Sequence, residues 1–172
     1  MHPEYALFYR ELYEKHWWWR AREDLILETL ERLAPGGGVE GPILDVGCGD
    51  GLFFDKLARF GSVEGIEMDP TGVSPVGRWR ERIRVQPFDA TFQPGKTYAL
   101  VLLLDVIEHF EDPVGCLRRA VELLAPGGAI LVTVPAFRAL WTRHDEINRH
   151  FTRYTRRGLE SVARAAGALR RI

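Results

Sequence analysis

The chain has 172 residues, 46% of them hydrophobic, and a formal net charge of −1 at pH 7. This length suits one domain with a substantial core, and the even charge balance excludes the non-specific nucleic-acid binding of strongly basic chains. The longest aliphatic run, 99–104, is too short to cross a bilayer, and the first residues show no signal-peptide pattern.

The N-terminal stretch, 4–33, predicts two helices joined by an aromatic segment with three adjacent tryptophans, 17–19. Four apolar residues of the second helix recur at helical spacing and should pack on the body of the protein: Leu25, Ile26, Leu30 and Leu33. Three adjacent tryptophans cannot share that face, so we expect at least one to point elsewhere. Proline and glycines at 35–38 then end the helix.

Apolar strands and helices alternate through the rest of the chain. The predicted strands are 43–46, 63–67, 83–86, 98–104 and 129–134, and the predicted helices are 52–60, 114–124 and 156–166. Strands that are apolar throughout are typical of a parallel sheet covered by helices on both faces, which predicts a three-layer α/β fold. The segment 71–82 is the weakest helix, because Gly72, Pro75 and Gly77 oppose regular structure. We expect a single domain over 1–172, with a helical cap at 1–38 and the core at 42–172.

A glycine turn follows the first predicted strand. Gly47, Gly49 and Gly51 stand at alternate positions just beyond the acidic residue Asp45. Glycine permits positive φ and lets a ligand approach the backbone closely. Ligands of doubly wound sheets bind at the carboxyl ends of the strands, where the strand order switches. The turn is therefore the predicted centre of the site.

Two acids follow the next two strands. Glu67 ends the second strand about twenty residues beyond the first turn glycine, where a carboxylate can accept hydrogen bonds from both hydroxyls of a ribose. Asp89 follows the third strand and is placed to accept from the exocyclic amine of an adenine ring. The alternative for Asp89 is a turn acid that caps local N–H groups.

Five motifs, in this order, carry a resemblance to a known family. They are Leu44-Asp45-Val46-Gly47-Cys48-Gly49-Asp50-Gly51, Gly65-Ile66-Glu67-Met68-Asp69, Phe88-Asp89-Ala90, Asp105-Val106-Ile107-Glu108-His109 and Leu124-Ala125-Pro126-Gly127-Gly128. Together they resemble the class I S-adenosylmethionine (SAM) dependent methyltransferases. The flanking segments 16–22 and 141–145, with His150 and Arg153-Tyr154, are similar to the branch known as methyltransferase type 11 or 12.

The resemblance implies a Rossmann-like sandwich, with a mostly parallel sheet of five or six strands and N-terminal helices. The family's sheet has seven strands, and this sequence ends at Ile172, where a sixth strand over 168–172 would begin. We therefore expect the usual last strand or strands to be lacking, which leaves one edge of the fifth strand open. A homodimer through that edge, or cover by the N-terminal segment, is the expected arrangement.

The resemblance also implies roles for individual residues. The cofactor-binding set is Asp45, Gly47, Cys48, Gly49 and Gly51 at the methionine part of SAM, Glu67 at the ribose, Met68, Asp89 and Ala90 at the adenine, and Leu104 and Asp105 beside the methionine. The residues expected to line the substrate are Trp17, Trp18, Trp141, Arg143 and Tyr154. The implied reaction is methyl transfer from SAM to a small-molecule acceptor.

Methyl transfer to a hydroxyl also requires a proton acceptor, and histidine is suited to that role by its pKa. The candidates are His109, after the fourth strand, and His144 and His150, after the fifth. For His109, capping of the cofactor pocket or ordering of the loop is favoured over the role of base. The residues alone do not choose between His144 and His150, and a structural polar network is an equal alternative for that loop. No metal is expected, because the spacing of His144, Asp145 and His150 matches no known ligand pattern.

Two further classes of function stay open. One is a SAM-binding protein without catalysis. The other is a nicotinamide-dependent oxidoreductase, which the Gly-x-Gly-x-Gly spacing disfavours, because the dinucleotide fingerprint leaves two residues before its last glycine. Methylation of nucleic-acid bases is disfavoured too, because the fourth strand ends in Leu104-Asp105-Val106 without the Pro-Pro-aromatic turn that holds a flipped base.

Composition adds expectations about location and source. Cys48 and Cys116 occur in unrelated contexts, so neither a disulfide framework nor a zinc site is predicted, and we expect a cytoplasmic protein. Arginine outnumbers lysine, and the only amides are Gln86, Gln93 and Asn148, a composition that leans towards a thermophilic source.

Overall fold

Five parallel strands form one sheet in a computed structural model that describes residues 15–34, 36 and 38–168. The strands are β1 (Ile43–Val46), β2 (Val63–Glu67), β3 (Ile83–Val85), β4 (Tyr98–Leu104) and β5 (Leu124–Thr133). They pair in the order β3-β2-β1-β4-β5, which confirms the predicted parallel sheet. The strand order switches between β1 and β4, so the glycine turn after β1 lies where such sheets bind ligands.

Helices cover both faces of the sheet. The α-helices are α1 (Trp17–Leu33), α2 (Phe54–Leu57), α3 (Pro113–Glu122), α4 (Arg143–Ile147) and α5 (Arg156–Ala165). Because side chains alternate along a strand, Leu100 and Leu102 pack with residues of α1 and α2, whereas Val101 and Leu103 pack with residues of α3 and α5. The three-layer sandwich is thus confirmed. No helix in the described part of the chain combines the length and the apolarity that crossing a bilayer requires.

The apolar face of α1 is narrower than the sequence predicts. Ile26 and Leu30 are buried, but Leu25 is 62% exposed and Leu33 is 53% exposed. Leu25 is the direct neighbour of Ile26 and so points about 100° away from it around the helix. Leu33 is the last residue of α1 and lines an open cavity of about 520 Å³ beside the start of β5. The predicted first helix begins at residue 4, and most of it lies outside the described residues.

Two tryptophans of the aromatic segment are exposed, as expected for neighbours that cannot share one face. Trp17 is 71% exposed and Trp18 is 44% exposed. Trp18 and Trp19 meet edge to face, with ring centroids 5.1 Å apart. The first turn of α1 therefore presents aromatic surface to solvent at its N-terminus.

The segments that follow β1 and β2 are less helical than expected. The helix predicted over 52–60 is regular only at Phe54–Leu57, and Phe60 closes a tighter turn by donating its N–H to the carbonyl of Leu57. The segment predicted as the weakest helix contains only the 3₁₀ turns Pro70–Gly72 and Arg80–Arg82. The other two predicted helices, 114–124 and 156–166, are α3 and α5, and both lie within two residues of their predicted bounds.

β5 begins earlier than predicted, because the Pro-Gly-Gly segment is a bulge inside the strand. Tyr98 pairs with Leu124 and Leu100 pairs with Ala129, so the register shifts between the two pairs. A Cβ at Gly128 would lie 2.9 Å from the carbonyl oxygen of Tyr98, and only glycine permits that approach. Within the described residues, β5 pairs with β4 alone. Most of the predicted sixth strand, 169–172, lies outside them.

Candidate functional site

The turn after β1 has the backbone conformation that its glycines predict. Gly47, Gly49 and Gly51 have φ of 69°, 54° and 70°, which side-chain-bearing residues rarely adopt. A Cβ at Gly47 would lie 2.9 Å from a methyl carbon of Val106, whereas a Cβ at Gly49 would meet no protein atom within 4 Å. Gly49 therefore presents bare backbone to open space, where a ligand can approach.

Glu67 joins this turn to the end of β2. One carboxylate oxygen accepts a hydrogen bond from the backbone N–H of Gly49 at 2.9 Å, and the other accepts from the N–H of Asp69 at 2.9 Å. The residue is half-buried, and each oxygen keeps a second lone pair. The predicted ribose acid thus lies beside the glycine turn and is oriented by it.

Asp45 lies beneath the turn at 5% exposure. Burial raises the pKa of Asp45 to about 7, the positive charge of Arg22 opposes the rise, and the charge of Glu67 adds to it. A cation placed next to Asp45 would favour its ionised form. The site therefore contains a buried carboxyl group that suits an ammonium or a sulfonium ligand.

Two predicted cofactor residues differ in where their side chains lie. The Cys48 side chain occupies the space that a Cβ at Gly65 would need, so it packs inward against β2. Burial raises the pKa of Cys48 far above its ordinary value, which keeps the thiol protonated. Met68, one residue beyond β2, is 71% exposed and is free to cover a flat ring.

Asp89 is fully exposed, and one of its oxygens caps the turn that follows, which was the alternative to adenine binding. That oxygen accepts from the backbone N–H of Thr91 at 2.8 Å and from its hydroxyl at 2.6 Å, and these bonds lower the pKa of Asp89. The adjacent Ala90 is exposed, and its carbonyl accepts from the side-chain amide of Gln93 at 2.8 Å. The turn cap leaves the second Asp89 oxygen available to a ligand amine.

Arg22 is a site residue that sequence reasoning missed. It reaches from α1 to the end of β4, where its guanidinium lies 2.6 Å from the carboxylate of Asp105 and 3.3 Å from the hydroxyl of Thr133. Its buried Nε has no hydrogen-bond partner among the described residues. Asp105, next to the half-buried Leu104, has φ of 57°. The predicted methionine side of the site is therefore bordered by an acid held by an arginine with a spare donor.

All three candidate histidines meet at the same edge of the sheet. The rings of His109 and His150 are perpendicular, with centroids 4.6 Å apart, and the ring of His144 lies 6.4 Å from that of His150. The pKa of His109 is lowered, mainly by burial and to a smaller extent by electrostatic interaction with His150. His144 is exposed, and its ring nitrogen pairs with the amide of Asn148 at 2.9 Å. The rings of His109 and His150 are therefore closer to each other than those of His144 and His150.

The Asp145 carboxylate anchors His150. Asp145 is fully buried, and the ring Nδ1 of His150 lies 3.0 Å from one of its oxygens. Arg153 donates to both oxygens, at 2.7 and 2.9 Å, and Thr142 donates its backbone N–H at 2.8 Å and its hydroxyl at 3.2 Å. The bonds from Arg153, above all, hold the pKa of Asp145 well below its ordinary value. His150 is therefore fixed to a permanent carboxylate.

Glu108 completes this group of side chains. It is fully buried, and neither carboxylate oxygen has a hydrogen-bond partner among the described residues. Burial raises the pKa of Glu108 to about 8. One of its oxygens and a ring nitrogen each of His109 and His150 lie within 4.8 Å of one another. These atoms could share a proton or hold a cation.

The predicted substrate residues divide into surface and core. Trp17, Trp18 and Arg143 are exposed, and half-buried Trp141 lies under the guanidinium of Arg138 at 4.5 Å. Tyr154 is only 6% exposed, belongs to the core cluster and donates its hydroxyl to the carbonyl of Ile107. Tyr154 therefore packs in the core, and its contact with the substrate stays a prediction from the sequence.

Comparison with known proteins identifies related chains. A family model described as a methyltransferase domain matches residues 18–168. A ubiquinone biosynthesis O-methyltransferase of Escherichia coli is 31% identical over 144 residues, which are 75% of this chain and 59% of the relative. That of Aeromonas salmonicida is 33% identical over 106 residues, 56% of this chain and 44% of the relative. The chain thus spans about half the length of these relatives.

A solved structure agrees on the fold. It is SAM-bound CalS10, an amino pentose methyltransferase from Micromonospora echinaspora, which matches with a TM-score of 0.62 and 24% identity. The match covers 78% of this chain and 59% of that one. At this identity the likeness extends to the arrangement of strands and helices.

Proposed function

Because the chain belongs to the class I SAM-dependent methyltransferases, we propose that it binds SAM at the carboxyl ends of β1 and β2 and transfers its methyl group to a small molecule. The observation that carries this proposal is the bond between Glu67 and the backbone of Gly49, which joins a ribose-binding acid to an open glycine turn. The relatives' names supply the reaction class, and the site's own chemistry supports the cofactor.

The charges of the site fit SAM. Four carboxyl groups, those of Asp45, Glu67, Asp105 and Glu108, border the region, and Arg22 is the cation that reaches among them. SAM, when bound, presents an ammonium and supplies a methyl group on a positively charged sulfonium, whose displacement leaves a neutral thioether. We assign the ammonium to Asp45 and the SAM carboxylate to the guanidinium of Arg22.

We also propose a role in SAM binding for each of the other residues at this edge of the sheet. Glu67 accepts from the ribose hydroxyls with its free lone pairs, and the bare backbone at Gly49 lies against the methionine chain. Met68 covers the adenine, and Asp89 with Ala90 binds its edge. His109 and His150 border the acceptor side, and His144 lies farther out. The exposed Trp17 and Trp18, with Trp141 and Arg143, are proposed to border the acceptor's entrance.

A nicotinamide dinucleotide fits the same edge poorly. Its pyrophosphate carries two negative charges, which usually lie at the N-terminus of a long helix. Here the turn leads into α2, which has only four residues, and carboxylates surround it. The physical expectation is therefore selective binding of SAM.

We propose one domain, with the helical cap at 1–38 and the core at 42–172, and a homodimer through the edge of β5. A cytoplasmic location and a thermophilic source rest on composition alone. The dimer predicts a mass of twice 19.6 kDa in light scattering, and a monomer at all concentrations would contradict it.

Calorimetry tests the cofactor directly. The protein is titrated with SAM and, separately, with NADH, and we expect binding of SAM alone. Transfer of a labelled methyl group to small-molecule acceptors then separates an enzyme from a SAM-binding protein without catalysis. Binding of NADH in preference to SAM would contradict the proposal.

A further inference from the structure

The hydrogen bonds around Asp145 fix the tautomer of His150. Arg153 and the backbone of Thr142 can only donate, so Asp145 acts as an ionised acceptor. The Nδ1 atom of His150, at 3.0 Å from this carboxylate, must therefore carry a proton. A neutral His150 then keeps its lone pair on Nε2. The carboxylate thus selects which ring nitrogen can accept a proton.

A ring nitrogen of His150 also belongs to a cluster with His109 and the buried carboxyl group of Glu108. The two side-chain oxygens of Glu108 are buried without a hydrogen-bond partner among the described residues, and a ring nitrogen each of His109 and His150 lies within 4.8 Å of one of them. The backbone N–H of Phe151 donates to the Glu108 carbonyl at 2.7 Å, which ties the loop that carries His150 to the end of β4. A proton that arrives on His150 would lie next to the ionised carboxylate of Asp145, with the buried carboxyl group of Glu108 close by.

We propose that His150 Nε2 is the proton acceptor of the reaction, that Asp145 is its positioning residue, and that the substrate therefore presents a hydroxyl group. This inference rests on the proposed methyltransferase function. The bond between the acceptor oxygen and the methyl carbon forms as the carbon–sulfur bond breaks, and the electron pair of the broken bond stays on sulfur. The hydroxyl proton moves to Nε2 of His150 and later leaves to solvent.

The acceptor class follows from the need for a base. A neutral amine attacks through its own lone pair and can lose its extra proton afterwards, whereas an alcohol or phenol is a weak nucleophile until its proton is removed. A buried acid that orients a histidine is useful for the second case. His144 lacks such support, because its ring pairs with the amide of Asn148.

Nuclear magnetic resonance of the protein labelled with ¹⁵N-histidine tests the positioning step. At pH 8 we expect His150, assigned through His150→Gln, to show a protonated Nδ1 and an unprotonated Nε2. Asp145→Asn should weaken this preference, and Glu146→Gln, an exposed acid on the same helix, should leave it unchanged. The wild-type spectrum decides even if Asp145→Asn fails to fold. The opposite tautomer in the wild-type protein would overturn the inference.

Methyl transfer tests the acceptor class. The matched probes are 3,4-dihydroxybenzoate and 3,4-diaminobenzoate, whose carboxylate suits the loop after β5, which carries Arg138, Arg143, Arg149 and Arg153. We expect transfer to the hydroxyl probe alone, a loss of at least 100-fold in kcat for His150→Gln, and SAM affinity within about 2-fold of wild type. A protein that binds SAM but methylates only the amine, or neither probe, contradicts this inference while the cofactor assignment stands. A protein that does not bind SAM contradicts the proposed function itself.

A stoichiometric metal retained through His150 would also exclude the proton-acceptor role.

Discussion

The two halves of the site are held together by different kinds of hydrogen bond. The cofactor edge, which comprises Asp45, Gly47, Gly49, Gly51 and Glu67, relies on strand ends and backbone N–H groups. The histidine cluster, which comprises Glu108, His109 and His150 with Asp145, relies on side chains from separate segments. Glu67 bonds to backbone on both sides, whereas Asp145 bonds mainly to Arg153, His150 and Thr142. We therefore expect the first half to govern SAM affinity and the second to govern acceptor chemistry and the stability of the loop after β5.

The largest effect is expected from Asp145→Ala. This change leaves Arg153, at 15% side-chain exposure, without its carboxylate, and uncovers the donors of Thr142 and His150. Removal of one partner of a buried ion pair costs about 3–5 kcal/mol in the free energy of unfolding. Chemical denaturation measures it. Asp112→Ala, which removes an exposed helix cap, is the control and should cost about 1 kcal/mol. Equal losses for the two variants would show that the cluster is not an anchor.

Next comes Glu67→Ala, which should weaken SAM binding by about 1–3 kcal/mol, because two ribose hydroxyls and two backbone donors lose an acceptor. Calorimetry gives the dissociation constant. Glu81→Gln changes an exposed acid before β3 and is expected to leave affinity unchanged. If Glu67→Ala binds SAM as tightly as wild type, Glu67 does not belong to the cofactor edge.

Alanine substitutions at two glycines distinguish the cost of backbone strain from the loss of ligand contact. Gly49 and Gly95 both have positive φ and no protein atom within 4 Å of an added Cβ. Each change to alanine should therefore cost about 1–2 kcal/mol of stability. Only Gly49→Ala should also weaken SAM binding, by about 10-fold, since its methyl group would occupy the cofactor's approach. Equal affinities in the two variants would move the ligand away from the turn.

The smallest effect is a proton released on binding. With its pKa raised to about 7, Asp45 holds a proton between about pH 4 and pH 7 in the folded protein but not in the unfolded chain. Its contribution to stability therefore falls as pH rises through that window. An ammonium next to Asp45 favours the carboxylate, so SAM binding at pH 6 should release up to one proton. Calorimetry in two buffers of different ionisation enthalpy measures this release, and Asp45→Asn should abolish it.

The cofactor edge could be predicted from the sequence because its parts are local. A strand that ends in Asp45, a turn that needs positive φ and an acid at the next strand end are short-range features. The parallel sheet followed from the same apolar runs. The start of β5 was predicted five residues too late, because a bulge at Gly128 depends on contact with β4.

The histidine cluster could be predicted only in part. The three histidines were recognised as candidates, but the roles of Arg22 and Glu108 depend on how α1 and the loop after β5 pack against the end of β4. The burial of Tyr154 was not predicted for the same reason: its motif lies beside polar residues in sequence, whereas its ring packs in the core. Side chains that meet across the fold leave no local pattern to detect.

A crystal structure of the protein with bound SAM would show directly whether Glu67 and Gly49 hold the cofactor. We predict that the two ribose hydroxyls lie within hydrogen-bonding distance of Glu67, that the methionine chain crosses the backbone at Gly49, and that the methyl group faces the side of His150. A ligand that binds elsewhere, or that occupies this edge with Glu67 facing away from the ribose, would contradict the account.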